Sequence, residues 1–292
     1  MTEEQTGDQG RIVTYERDGL TLAMRIFGPA DGTTAPVVCL PGLTRNSRDF
    51  IAFANAIREL DPTRSVIAFD YRGRGMSDAA PEAAGYNAAE EAKDVLEGLD
   101  RLKVTKVDLV GTSRGVIVIH LIAAMAVERI RRIVFNDAGP RIEADGLLSI
   151  RDYLGAARAH ESLARATDAV EALFKSTFPA LGRRDFERQA WAISIERSGV
   201  WVVDYDPKLL RTLDELRAGK PLPELWELFE LLAEKPLLVL RGEHSDILST
   251  ATTDEMAARH PNCKVHTVGG QGHAPFLETA GLPQLILNFL RL

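Results

Sequence analysis

The chain has 292 residues, of which 45% are hydrophobic and 26% charged, and its 35 basic and 42 acidic side chains give a formal net charge of −7. This composition is typical of a globular protein, and the length suits one large α/β domain or two small ones. Because the basic residues form no block, we expect no nucleic-acid partner. No apolar run approaches the roughly 18 residues that a membrane span needs, so no membrane partner is expected either.

The cysteines and the first residues indicate the compartment. Cys39 and Cys263 fall in predicted strands and have neither zinc-site nor disulfide-framework spacing. The N-terminal residues are acidic and polar, unlike a signal peptide. The sequence therefore predicts a cytoplasmic protein that binds no metal, with residues 1–10 as a disordered tail.

Strands and helices are predicted to alternate after this tail. Arg11–Arg17 and Leu20–Phe27 flank the hairpin dipeptide Asp18-Gly19. The elements that follow are strand Val37–Leu40, helix Asp49–Leu60, strand Val66–Phe69, helix Asn87–Leu102, a strand from Val107 that ends at Ser113, an apolar helix to about Val127 and strand Ile130–Phe135. This alternation with short loops is typical of a mostly parallel sheet with helices on both faces.

The alternation is interrupted between about Gly139 and Glu234. This stretch predicts helices separated by proline and glycine, with one strand-length run at Val200–Val203. The alternation resumes with strand Pro236–Leu240, helix Ser249–Arg259, strand Lys264–Val268 and a final helix from about Pro275 to Leu292. We therefore predict an α/β core of residues 11–138 and 235–292, with residues 139–234 as a helical cap.

A serine lies at the turn from a strand into a buried helix, within Gly111–Gly115 (Gly-Thr-Ser-Arg-Gly). A β-carbon at Gly111 or Gly115 would clash with the returning chain, and the helix directs unpaired N–H groups at the serine. A glycine-rich turn with an ordinary, non-catalytic serine could have the same sequence. The predicted strand before Ser113 and the predicted helix after it favour a nucleophile instead.

A serine hydroxyl needs an adjacent base to become a nucleophile. Of six histidines, His273 follows the glycine-rich loop Gly269–Gly272 beyond the last predicted strand, at the same sheet edge as Ser113. We predict His273 as the base. Its carboxylate partner is predicted to be Asp246, which follows Pro236–Leu240 at that edge, with Asp137 as the rival.

Two backbone N–H groups are predicted to form an oxyanion hole. One belongs to Arg114, the residue after the nucleophile, and the other to Leu43 in the loop after Leu40, where Gly42 allows a close approach. Trp191 and Trp201 fall in the predicted cap. They are predicted to line a substrate pocket, the alternative being a place in the core of the cap.

Four segments together resemble the α/β-hydrolase family over about residues 11–292. They are Leu-Pro-Gly-Leu at 40–43, Asp-Tyr-Arg-Gly-Arg-Gly-Met-Ser at 70–77, Gly-Thr-Ser-Arg-Gly at 111–115 and Gln-Gly-His at 271–273. The resemblance implies an eight-stranded sheet, a helical lid between strands six and seven, and a Ser113–Asp246–His273 triad. The chain departs from the family in having Leu40-Pro41-Gly42 where His-Gly is usual before the oxyanion loop, and Arg114 where an apolar or small residue is more usual.

A serine at this turn indicates attack on a carbonyl carbon, since the haloalkane dehalogenases and soluble epoxide hydrolases, which attack sp³ carbon, carry Asp there. We expect hydrolysis of a small carboxylic ester or lactone through an acyl-enzyme, with a small-molecule substrate and no cofactor. One alternative is carbon–carbon bond hydrolysis of a diketone-like product, as in meta-cleavage-product hydrolases. A pocket arginine would favour it, with Arg45, Arg114 and Arg141 as candidates. The other alternative is a non-catalytic ligand receptor on the same fold.

Overall fold

The computed structural model describes residues 8–29, 34–155, 159–214, 216 and 222–292. Residues 1–7 of the predicted disordered tail, and residues 156–158, 215 and 217–221 of the predicted cap, lie outside this range. The strands are β1 Arg11–Arg17, β2 Leu20–Phe27, β3 Val37–Leu40, β4 Val66–Asp70, β5 Val107–Thr112, β6 Ile130–Asn136, β7 Ser194–Arg197, β8 Val200–Val203, β9 Leu237–Gly242 and β10 Cys263–Val268. The helices are α1 Ile51–Leu60, α2 Ala88–Arg101, α3 Arg114–Ala126, α4 Ala144–Gly155, α5 Leu163–Phe174, α6 Arg183–Ile193, α7 Trp226–Glu230, α8 Thr250–Arg259 and α9 Leu282–Arg291.

Within the described residues, eight strands form one sheet in the order β1-β2-β4-β3-β5-β6-β9-β10. β2 runs antiparallel to both β1 and β4, and the other neighbouring pairs are parallel. The predicted mostly parallel eight-stranded sheet is confirmed. Because β3, β5, β6, β9 and β10 run in the same direction, the loops that follow them lie at a single edge of the sheet.

Both faces of the sheet are buried at its central strands β3, β4, β5 and β9, which explains their nearly continuous apolar runs. In β3, Val38 and Leu40 belong to a hydrophobic cluster that includes residues of α2, α3, α7 and α8. Val37 and Cys39 point the other way, into a cluster with residues of α1 and α9. These two layers of helices fix the strands, and with them the edge on which the loops lie.

The elements from α4 to α7, here called the inserted segment, lie between β6 and β9 in the chain. α5 and α6 pack around a small hydrophobic core of their own. The run Val200–Val203 is strand β8, and it pairs with β7 in a region where the sequence predicted helix. Ser198 and Gly199 between them have φ values of 51° and 81°, which suit the tight turn of a two-residue hairpin.

The described part of the chain contains neither a candidate membrane span nor a candidate metal site. No helix there is both long and apolar enough to cross a bilayer. No group of three His, Cys, Asp or Glu side chains there is arranged to hold a metal ion.

Candidate active site

Ser113 lies at a sharp turn between β5 and α3. Its φ of 53° and ψ of −112° are strained for a residue with a side chain, and its N–H donates to the carbonyl of Asn136 at 3.0 Å. A β-carbon on Gly115 would lie 2.2 Å from the carbonyl oxygen of Leu40, and one on Gly111 would lie 2.7 Å from the backbone of Gly115. The predicted need for both glycines is therefore confirmed by the backbone contacts.

His273 lies in the loop after β10 and reaches the serine directly. Its Nε2 is 2.8 Å from Ser113 Oγ, and its Nδ1 is 2.9 Å from Asp137 Oδ2. A carboxylate can only accept, so Nδ1 carries the proton and Nε2 is free to accept the serine proton. The side chains Ser113, His273 and Asp137 are thus hydrogen bonded in series.

Asp137 follows β6 directly and is completely buried. Its Oδ1 accepts the N–H of Gly242 at 2.7 Å, which leaves Oδ2 for His273. Its own N–H donates to the carbonyl of Leu240 at 2.8 Å, and its φ is 59°. The neighbouring strand β9 therefore bonds both the backbone and one carboxylate oxygen of Asp137.

The structure does not bring Asp246 to the histidine, so the prediction that Asp246 is its partner is wrong. Both ring nitrogens of His273 already have partners in Ser113 and Asp137. Asp246 is exposed, and its backbone packs so closely on α4 that a β-carbon on Gly146 would lie 2.2 Å from its carbonyl oxygen. The rival acid considered from the sequence, Asp137, takes the place at Nδ1.

Of the two residues predicted for the oxyanion hole, Arg114 directly follows the nucleophile and Leu43 lines the same cavity as the nucleophile. Arg114 is the first residue of α3, so its N–H has no acceptor within the helix. Leu43 lines the cavity next to Gly42, where a β-carbon would lie 3.8 Å from Ser113 Cβ. The guanidinium of Arg114 does not crowd the site, since its Nε lies 2.8 Å from Oε2 of Glu91. The oxyanion hole itself stays a prediction.

A cavity of about 450 Å³ opens at Ser113 and His273. Much of its wall is apolar and comes from the inserted segment, including Ile150, Leu154, Val170, Phe174, Trp201 and Val203. Trp201 therefore lines the cavity, and its role in a substrate pocket stays a prediction. The same prediction is wrong for Trp191, which packs against the core cluster shared with α1 and α9 and lies under the guanidinium of Arg48, 5.2 Å from its ring centroid.

Charged and polar side chains complete the cavity wall. Of the three arginines considered from the sequence, Arg45 lines the cavity, where Asp49 accepts hydrogen bonds of 2.6 and 2.8 Å from it. Arg141 instead pairs with Glu224 and Glu255. Burial raises the pKa of Tyr153 to about 12, so its hydroxyl is a neutral donor in this wall at neutral pH.

Sequence reasoning missed Asn136, the last residue of β6. Its Nδ2 donates to the carbonyl of Pro275 at 2.9 Å and to Thr112 Oγ1 at 3.1 Å, and its carbonyl accepts from Ser113. Asn136 thereby connects the nucleophile turn with the loop that carries His273. A buried polar residue at the end of an apolar strand is the sequence signal that could have identified it.

Comparison with known proteins identifies the family. A family model for the alpha/beta hydrolase fold matches residues 35–280. The chain belongs to the α/β-hydrolase family. It is 32% identical, over 84% of each chain, to a 3-hydroxybutyrate-oligomer hydrolase from Cupriavidus necator. It is 29% identical to a 2-(acetamidomethylene)succinate hydrolase from Mesorhizobium japonicum, over 80% of this chain and 79% of that one.

A solved α/β-hydrolase structure from Novosphingobium aromaticivorans superposes on this chain with a TM-score of 0.88 at 34% identity. The match covers 96% of this chain and 98% of that one. The family resemblance inferred from the four sequence segments is therefore confirmed. Hydrolase activity is the function that the family and its named members support.

Proposed function

We propose that this α/β hydrolase cleaves a small carboxylic ester or lactone through an acyl-enzyme. The observation that carries the proposal is the hydrogen-bonded series Ser113–His273–Asp137 at the floor of the cavity. His273 Nε2 takes the proton of Ser113 Oγ as that oxygen attacks the substrate carbonyl carbon. Asp137 keeps the proton on Nδ1 and stabilises the imidazolium that forms.

The tetrahedral intermediate then collapses with the help of the same histidine. The N–H groups of Leu43 and Arg114 receive its negative oxygen, and His273 returns the proton to the leaving alkoxide. A water molecule that gives a proton to His273 attacks the acyl-enzyme, and the second collapse releases the acid and restores Ser113. This sequence needs no cofactor.

The size and lining of the cavity suit a small substrate with apolar portions. Its volume of about 450 Å³ is in the lower part of the range of small-molecule sites, and most of its wall is apolar. Oligomers of a hydroxy acid are joined by ester bonds, so the relative from Cupriavidus necator supports adding short hydroxy-acid oligoesters to the substrates tested.

The decisive experiment compares wild type with Ser113→Ala. The substrates are p-nitrophenyl esters of increasing chain length, lactones and 3-hydroxybutyrate oligomers. We expect wild type to hydrolyse at least one ester and to be labelled by a fluorophosphonate probe, and Ser113→Ala to lose both. Hydrolysis that survives in Ser113→Ala on every substrate would rule out the serine mechanism. An unlabelled and inactive wild type would favour a ligand receptor.

A second candidate is hydrolysis of a carbon–carbon bond in a diketone-like substrate that carries a carboxylate. It is favoured by Arg45 in the cavity wall, whose Cγ would lie 3.1 Å from a β-carbon on Gly42, beside the nucleophile. Against it, Asp49 already neutralises this arginine. Faster turnover of a vinylogous diketone than of any ester, lost in Arg45→Gln, would establish this second activity.

A further inference from the structure

A buried carboxylate connects the two residues that would supply the oxyanion N–H groups. Glu91 on α2 has no exposed side-chain surface; its Oε2 lies 2.8 Å from Arg114 Nε and its Oε1 lies 2.9 Å from Arg74 Nη2. Arg74 Nε in turn donates to the carbonyl oxygen of Leu43 at 2.8 Å. A continuous chain of contacts therefore runs from Leu43 through Arg74 and Glu91 to Arg114.

Arg74 is held firmly at the centre of these contacts. Its Nη1 donates to the carbonyl of Arg72 at 2.8 Å, and its guanidinium carbon lies 5.5 Å from the ring centroid of Tyr71 and 5.8 Å from that of Tyr86. Its side chain has no exposed surface. The carbonyl of Leu43 is consequently fixed to a rigid group rather than to a mobile one.

Stability alone is a weak reason for burying these three charges, because apolar residues in place of a buried ion pair are often neutral or stabilising. Burial would raise the pKa of Glu91, but the guanidinium groups of Arg74 and Arg114 hold it below its ordinary value. Glu91 is therefore ionised at neutral pH and contacts both guanidinium groups as a carboxylate.

Among the described residues, those that line the cavity do not include Arg74, Glu91 or Arg114. Any influence on the reaction must therefore pass through the backbone of Leu43 and Arg114. A displacement of one donor by a fraction of an ångström weakens its hydrogen bond to the oxyanion much more than it affects substrate binding.

We propose that Glu91 is a positioning residue that, through Arg74 and Arg114, fixes the spacing of the two oxyanion-hole N–H groups. The proposal rests on the acyl-enzyme function proposed above. It also explains why an arginine follows the nucleophile in this chain: its guanidinium attaches the start of α3 to α2.

The test removes the contact and leaves the backbone donor in place. Arg114→Met keeps the N–H and the length of the side chain but removes the guanidinium, and Glu91→Gln keeps the shape but removes the charge. We measure kcat per active site, counted by fluorophosphonate titration, on the p-nitrophenyl ester that wild type hydrolyses fastest. We expect kcat to fall roughly ten- to a hundredfold in both variants, with KM within about threefold of wild type.

A second readout separates positioning from general damage. A boronic acid inhibitor forms a tetrahedral adduct on Ser113, whereas the product acid of the same ester does not. Boronate affinity is expected to fall by about the same factor as kcat, while product-acid affinity stays near the wild-type value. Arg114→Lys, which keeps a cation for Glu91, should recover part of the lost kcat, and it serves as the principal variant if Arg114→Met does not fold.

Arg64→Met is the matched control. Arg64 pairs with Asp108 at 3.0 Å, a buried ion pair near the opposite end of β5 from Ser113. This variant should lose thermal stability but keep kcat per active site within about twofold of wild type. Wild-type kcat per active site in Arg114→Met and Glu91→Gln would overturn the positioning role. A wild type without Ser113-dependent turnover would instead overturn the proposed function, and this inference with it.

Discussion

At the scale of single residues, the orientation of His273 depends on how Asp137 is held. One carboxylate oxygen accepts from the backbone of Gly242 and the other from the histidine. If Asp137 rotated away, the buried N–H of Gly242 would lose its acceptor, which costs about 1–3 kcal/mol. The backbone of β9 therefore keeps the carboxylate, and hence the imidazole, in a single orientation.

Asp137→Asn should consequently abolish most of the activity while leaving the fold intact. An amide keeps the bond to Gly242 but cannot stabilise an imidazolium, and it favours the wrong tautomer of His273. We expect kcat to fall about 10³–10⁴-fold. Asp246→Asn, the matched control at the other candidate position, should stay within about twofold of wild type. Equal losses in the two variants, measured with the same ester, would contradict the assignment of Asp137.

The sequence was sufficient to pair Ser113 with His273 but not to choose the acid. Asp137 and Asp246 follow β6 and β9, which are neighbours in the sheet, so both lie at the right edge. The choice depends on the local path of the chain: a φ of 59° turns Asp137 inward, whereas α4 packs against the backbone at Asp246. No sequence pattern indicates either the positive φ of Asp137 or the packing of α4 at Asp246. The contact between Arg114 and Glu91 joins two helices and was equally invisible.

At the scale of elements, polar contacts fix the inserted segment over the sheet. Arg188 on α6 pairs with Glu278 in the loop after β10 at 2.8 Å, and Arg48 pairs with Asp204 after β8 at 2.7 Å. Because these pairs lie beside the cavity, they hold its α6 and β7–β8 walls at a set distance from Ser113.

The final helix begins later than the sequence predicts. The sequence predicts a helix from Pro275, but α9 begins at Leu282. Phe276 and Leu277, which fall inside the predicted helix, line the cavity instead. The N–H of Phe276 donates to the side chain of Gln271 at 2.9 Å, so the segment is a loop whose apolar residues line the cavity.

Trp201→Ala tests whether the β7–β8 wall limits substrate length. Removing this ring enlarges the cavity, so kcat/KM for long-chain p-nitrophenyl esters should rise roughly tenfold relative to short-chain ones. Trp191→Phe is the control, because Trp191 packs against the core rather than in the cavity wall. This variant should prefer the same ester chain lengths as wild type. An unchanged preference in Trp201→Ala would mean that substrates do not reach this wall.

At the scale of the whole molecule, one buried histidine makes folding depend on pH. His120 on α3 is completely buried, with Nδ1 at 2.8 Å from the carbonyl of Val116 and its ring packed near Phe135 and Phe229. Its Nε2 is without a hydrogen-bond partner in the part of the chain that the structure describes. Burial lowers its pKa from 6.5 to about 4, because protonation would place a charge and an N–H in an apolar core.

This shift predicts a loss of stability in mild acid. Between the pKa of 6.5 in the unfolded chain and about 4 in the folded one, only the unfolded chain binds the proton, so the free energy of unfolding falls as the pH falls. From pH 7 to pH 4.5 the contribution of His120 is about 2–3 kcal/mol. Urea unfolding should therefore show wild type losing that much more stability than His120→Leu over this range. Both chains share the carboxylates that also titrate, so the difference between their free energies of unfolding isolates the histidine. Parallel pH profiles of the two chains would show that His120 is protonated as readily in the folded core as in the unfolded chain.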